Sequence, residues 1–230
     1  MIQSTLTNHK FSLSECFYCS QKIMAPQVQN IVINYATTHK QKSPEWDKLR
    51  SQLLFTGSSV SVITFKNFFK SRATLLAEKI SGKQIEIDNE NIRHGNLYEP
   101  DALHKCCEII GHELIPNPNL CYNVDILNGY AGVSPDGITY CGCLVEVKCP
   151  KTRKIKQGGK IPPYYLPQVM FSLHVLNLEK CFYFEYDPFD SVNNLQEILY
   201  DKNWYEENEI HFLSFMYDYE SLKLLSQLES

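Results

Sequence analysis

Apolar positions along this chain follow two periods, and the change from one to the other falls near Gly111. Before that point the period is helical. In PEWDKLRSQLLF, which begins at Pro44, Trp46, Leu49 and Leu53 fall on one helical face. TGSS then supplies a turn and an N-cap for the apolar segment SVITFKNFF. A third helix, RATLLAEKI, stops at Gly82, and a longer one is predicted from about Ile92 to Ile110 around Leu97, Ala102, Leu103, Cys106 and Ile110.

After Gly111 the pattern shortens to alternation. ELIPNPNL carries turn residues, CYNVDIL and GYAGV alternate, and CLVEVKC is dense in valine, so these segments read as strands of a mixed sheet. A basic loop follows, then a helix in YYLPQVMFSLHVL, strands in CFYFEYD and LQEILY, and a closing helix from about Trp204 to Leu225. This order predicts an α/β fold, a mixed central sheet flanked by helices. Residues 1–43 are poorly periodic and are assigned as an N-terminal extension, either an arm or a packed segment, with 44–230 as a single domain.

Bulk properties narrow the picture only a little. With 230 residues, 43% of them hydrophobic, the chain can bury one substantial core. No stretch of about 18 uncharged apolar residues offers a membrane span, and the first thirty residues have no targeting pattern, so a soluble intracellular chain is expected. Nine cysteines, an odd count in a chain too long to need disulfide staples, read as reduced thiols. A net charge of -4 argues against coating nucleic acid by overall attraction. It leaves room for an enzyme whose metal-holding site is acidic and whose basic residues gather locally.

The stretch GVSPDGITYCGCLVEVKCP holds the candidate chemistry. Asp136 lies in a Pro-Asp-Gly turn, and Glu146 and Lys148, two apart on the next predicted strand, share one face about 7 Å apart along the chain. Val145 and Val147 then point the other way. Two carboxylates and the backbone carbonyl of Val147 make an all-oxygen set suited to Mg²⁺ or Mn²⁺, with Lys148 placed to orient water or neutralise charge at phosphorus. The same residues also fit a common turn followed by a solvated strand face, and on spacing alone the two readings stand level. Glu99 in GNLYE adds a third carboxylate and Gln168 in YYLPQV an amide.

Taken in order, WDKLR, TGS, GNLYEPDAL, GVSPDG, LVEVKCP, YYLPQVMFSLHV and FYFEYDP resemble the lambda-exonuclease or YqaJ-type branch of the PD-(D/E)xK nucleases, from about Trp46 to Pro188. That resemblance implies a restriction-endonuclease-like fold and a Mg²⁺-dependent 5′-to-3′ exonuclease that degrades one strand of double-stranded DNA in recombination, repair or replication. It implies two Mg²⁺ ions, with Mn²⁺ able to substitute, held by Asp136 and Glu146, with Lys148 the catalytic lysine and Glu99 and Gln168 in support. Arg50 and Ser58 match the family's arginine and serine for the 5′-terminal phosphate, a role that suits the planar guanidinium. A homotrimer, a single-strand annealing partner and, for a viral protein, the host nucleus or cytoplasm come with the family. Its rivals are a structure- or sequence-directed endonuclease of the same superfamily and an inactive DNA-binding module. The sequence departs from the pattern at Gly57, where the family has alanine, so that Ser59 could replace Ser58, and at Pro100, which bends a helix or starts a new first turn.

The loop KCPKTRKIKQGGK carries Lys151, Arg153, Lys154, Lys156 and Lys160 beside Lys148, a local positive patch for DNA phosphates. Cys16-x-x-Cys19 and Cys141-x-Cys143 could in principle assemble a four-thiolate zinc site, but they lack regular zinc-like spacing, and cysteine is readily buried as a small hydrophobe. His94, His104 and His112 follow no metal-ligand spacing.

Overall fold

In the computed structural model, which describes residues 16–82, 90–116, 119–190 and 192–228, two parallel strands form the centre. They are β5 (Leu144–Lys148) and β6 (Lys180–Tyr186), paired from Leu144↔Cys181 to Lys148↔Glu185. A parallel pair needs a crossover, and α7 (Leu166–Leu176) supplies it. β4 (Gly137–Ile138) adds to β5 as one antiparallel hairpin, and β7 (Asn193–Leu199) adds to β6 as another, giving the order β4-β5-β6-β7. A second, three-stranded sheet has β3 (Ala131–Val133) between β1 (Phe55–Thr56) and β2 (Cys121–Tyr122). The chain passes from one sheet to the other through Ser134, Pro135 and Asp136.

Helices cover both faces of the central sheet, so the fold is a mixed α/β one. Val145 and Val147 pack with Phe182 and Phe184 against Ala102, Cys106 and Ile110 of α6 (Glu90–Ile110). The opposite face carries Leu144, Cys181 and Tyr183 against α7. Helix α7 is apolar almost all round, which only a buried helix tolerates, and Phe171, Leu173 and Val175 are fully buried. α8 (Lys202–Leu228) closes the core with Phe212 and Phe215; the Phe212 ring meets Phe55 and Phe171 at centroid distances of 5.7 and 5.5 Å.

Three local points differ from, or add to, the sequence expectation. CYNVDIL forms a strand only over Cys121–Tyr122, because the Asn123 side chain accepts the Asp125 amide at 3.0 Å and offers the backbone a turn in place of a ladder. α6 runs unbroken through Pro100, whose missing N–H leaves the Asn96 carbonyl without its intrahelical donor. Within the 1–43 stretch, α1 (Phe17–Gln21) and α2 (Pro26–Asn30) are described, and Val28 and Ile31 are fully buried in the main core. Among the described residues no helix is long and apolar enough to cross a membrane.

Candidate functional site

The short link between the two sheets delivers the first carboxylate. Asp136 ends that link, and its Oδ2 accepts a 2.8 Å hydrogen bond from the Val147 amide of β5. In an extended strand the N–H and C=O of one residue point the same way, so the Val147 carbonyl faces the Asp136 side, where β4 has already ended. Glu146, one residue back, points to the α7 face and is 1% exposed. Its Oε1 accepts hydrogen bonds from both the Lys148 ammonium and the Gln168 amide of α7. Lys148 Nζ also lies over the Tyr165 ring, 5.2 Å from its centroid.

Electrostatics at this cluster are unbalanced. Burial, followed by the neighbouring Asp136, pushes the Glu146 carboxyl up to about 7. Burial likewise raises Asp136, and burial and then Asp136 raise half-buried Glu99 on α6. For Lys148, burial works downward, but Glu146 and Asp136 outweigh it and hold the ammonium charged. Three carboxylates thus crowd around one cation in a desolvated pocket, and a hard divalent cation is the partner that would stabilise their ionised form. Lys42, which lies near Asp136 and Glu99, was not legible from the sequence, since nothing in its neighbours marks it.

A second group of residues adjoins the carboxylates. α3 (Pro44–Gln52), capped by Ser43 through a 3.2 Å bond from the Trp46 amide, carries Arg50; α4 (Gly57–Ile63) carries Ser58 in its first turn. Arg50 Nη2 donates to Ser58 Oγ at 3.0 Å, and the guanidinium sits over the Trp46 ring at 5.3 Å. Ser59 is not available for that role. It is buried in a capping box, accepting the Thr56 amide at 2.9 Å and donating to the Thr56 carbonyl at 2.8 Å.

Arg50, Ser58, Trp46, Ser134 and Gln168 line one cavity of about 130 Å³. Through Gln168 this hollow reaches the Glu146 cluster. The Ser134 hydroxyl, buried in the lining of this cavity with no protein hydrogen-bond partner, is a candidate site group that the sequence reading missed; its place two residues before Asp136 is the available signal. Beyond Arg50 and Ser58 a further hollow of about 290 Å³ extends to Lys79, which donates to the Leu53 carbonyl at 2.7 Å. Burial, and then Arg50, push the Lys79 ammonium down to about 8.

The basic loop is less uniform than its composition implies. Its backbone is tied to β7: the Gly158 amide donates to Asn194 Oδ1 at 3.1 Å, Asn194 Nδ2 donates to the Gly159 carbonyl at 2.9 Å, and the Ile161 amide donates to Gln196 Oε1 at 2.8 Å. Arg153, expected among the phosphate contacts, is paired with the buried Glu185 carboxylate and so anchors the loop. Lys151 is paired with Glu90 at the start of α6, and Lys154 is exposed.

Comparison with known proteins agrees with this fold. A family model described as a YqaJ-like viral recombinase domain matches residues 45–179. A crystal structure of LHK-Exo in complex with dAMP is similar at a TM-score of 0.69 and 26% identity, over 81% of this chain and 97% of that one. A second LHK-Exo structure, described as an alkaline exonuclease from Laribacter hongkongensis, gives 0.66 at 24% identity over the same shares. A phage related exonuclease from Haemophilus somnus 129PT gives 0.57 at 13% identity, over 79% of this chain and 99% of that one, a likeness of fold. An uncharacterized protein of Acanthamoeba polyphaga mimivirus is 24% identical over 219 residues, 86% of this chain, and the chain spans 38% of that relative's length.

Proposed function

The chain belongs to the YqaJ-like viral recombinase domain family, and from that premise we propose that it is a metal-dependent nuclease that degrades one strand of double-stranded DNA from its 5′ end. The observation that carries this reading is the cavity shared by Arg50, Ser58, Ser134 and Gln168. It is a small, donor-lined hollow beside the carboxylate cluster, sized for a terminal phosphate. The likeness to LHK-Exo, whose crystal holds dAMP, supports a deoxynucleotide ligand.

Asp136, Glu146 and the Val147 carbonyl would hold Mg²⁺, two ions by family likeness, and Mn²⁺ fits the same oxygen donors. Bound there, the metal supplies Lewis acidity toward the scissile phosphate and lowers the pKa of coordinated water. The remaining work falls to this chain's own residues. Lys148, kept charged by Glu146 and Asp136, neutralises charge developing on the phosphate oxygens. Gln168 holds Glu146 in place and faces the cavity, so one side chain joins the two subsites. Arg50 presents a planar fork to the end phosphate while Ser58 fixes its angle.

Digestion of linear and covalently closed circular duplex in Mg²⁺, with and without a 5′-phosphate, tests the proposal. Release of mononucleotides from linear duplex, faster with a 5′-phosphate than without, and none from closed circles is expected. Cutting of closed circles at a similar rate would replace the end-directed reading with an endonuclease.

A further inference from the structure

We propose that Cys16, Cys19, His112 and Cys141 form a structural zinc site that fastens the N-terminal segment to the β4–β5 hairpin. The four ligand atoms all lie within 4.8 Å of one another. His112 Nδ1 is 3.1 Å from Cys19 Sγ and 3.6 Å from Cys141 Sγ. With Zn–S of about 2.3 Å and Zn–N of about 2.0–2.1 Å, tetrahedral geometry sets neighbouring ligand atoms about 3.5–3.8 Å apart. Side-chain adjustments of about an ångström close the set.

Local structure explains how three distant segments meet. Cys16 is the N-cap of α1 and Cys19 lies three positions on, so both thiols leave the same side of the helix. His112 follows α6 directly, after Gly111 turns the chain out of the helix at φ +67°. Its ring stacks on Phe182 at 5.8 Å, which limits its orientation. Cys141 stands at the tip of the hairpin, where Thr139 Oγ1 is 3.2 Å from its sulfur and accepts the Cys143 amide at 2.8 Å. Gly142 beside it, at φ +91°, admits the Gln27 side chain so closely that an added Cβ would lie 2.4 Å from Gln27 Nε2.

Burial as small hydrophobes accounts for most of the other cysteines, whereas the sulfurs of Cys16, Cys19 and Cys141 converge on the His112 ring. Cys106, Cys143, Cys149 and Cys181 lie in apolar clusters of the core. Cys143, which spacing pairs with Cys141, packs with Val145 and Phe182, and His112 takes the fourth position in its stead. The same segments are also joined by a Lys22–Glu113 ion pair at 2.8 Å and by the Ala25 amide donating to the Tyr140 carbonyl at 2.8 Å. Three thiolates and an imidazole are soft donors that select zinc over Mg²⁺, and four protein ligands leave no coordination position for substrate. On binding, the three thiols release their protons to solvent and His112 coordinates as neutral imidazole.

The test is elemental analysis of the full chain, expressed with zinc and desalted. One zinc per chain is expected, with replacement by Co²⁺ giving tetrahedral d–d bands and thiolate charge-transfer absorption. His112→Ala and Cys141→Ala should lose the zinc, whereas Cys107→Ala, outside the set, should keep it. Because a ligand variant can misfold, the wild type is also stripped by a chelator: its melting temperature should fall and be restored by Zn²⁺ and not by Mg²⁺. A wild-type chain without zinc, a cobalt spectrum lacking the thiolate band, iron in place of zinc, or a Cys16–Cys19 disulfide in reduced fresh protein would overturn the proposal.

Discussion

Glu146 and Gln168, 22 positions apart, share a hydrogen bond that joins the central strand to the crossover helix. The bond puts the buried carboxylate under the control of α7, and the same oxygen also holds Lys148. Removing Lys148 therefore changes the charge balance at Glu146, whereas removing Gln168 loosens its position.

Lys148→Ala should lower kcat on linear duplex by about 10²–10³-fold, the range for removing one group that stabilises charge developing in the transition state. Binding of catalytically inert Ca²⁺, followed by calorimetry, should persist in the variant because Asp136 and Glu146 remain. Unchanged nucleotide release would remove Lys148 from the chemistry.

Arg50→Ala should abolish the preference for a 5′-phosphorylated end over a 5′-hydroxyl end, raising KM for the former by roughly 10–100-fold, equivalent to the about 1.5–3 kcal/mol of a charged hydrogen bond. Ser134→Ala should weaken the same preference less, while Ser59→Ala should act on stability through the lost cap. Steady-state kinetics on the two duplexes separates these cases.

Lys79 gives that preference a pH dependence. Its ammonium is held near 8 by burial and by Arg50, and a bound phosphate selects the charged form. Below about 8 the charge is already present; above it, phosphate binding must take up a proton, so affinity for the phosphorylated end falls by up to about tenfold per pH unit. Lys79→Arg, charged throughout, should flatten the dependence. The ratio of KM values for the two ends measures this free of changes in the chemical step, and a flat wild-type ratio would place Lys79 away from the phosphate.

Gly57→Ala should be tolerated. An added Cβ would meet Gln168 Cγ and Ser172 Oγ at 3.5 Å, ordinary contact, and the position needs no positive φ. Reduced freedom of the unfolded chain should add about 0.4–1 kcal/mol. A scanning calorimetry trace that shows a lower Tm would mean that α4 and α7 are packed more tightly than these distances indicate.

The features legible in the sequence are those set by neighbours in the chain. Glu146 and Lys148 fall on one face because strands alternate, and the alternation of Val145 and Val147 announces the opposite face. Helices such as α3 and α7 carry their own periodicity and caps. What sequence alone left out depends on distant partners. Arg153 meets Glu185 32 positions away, and Cys19 meets His112 93 positions away; neither pairing has a local signal. The choice of Ser58 over Ser59 likewise needed the fold, since only the helix start decides which hydroxyl caps and which faces Arg50.

The link from Ser134 to Asp136 has a mechanical consequence. One residue lines the end cavity and the other bears a carboxylate, and at most about 7 Å of backbone separates them. On the proposed function, the gauge between an end phosphate in that cavity and a metal at Asp136 would be built into three residues held by two sheets, so each catalytic cycle should advance by a single nucleotide whatever the surrounding loops do.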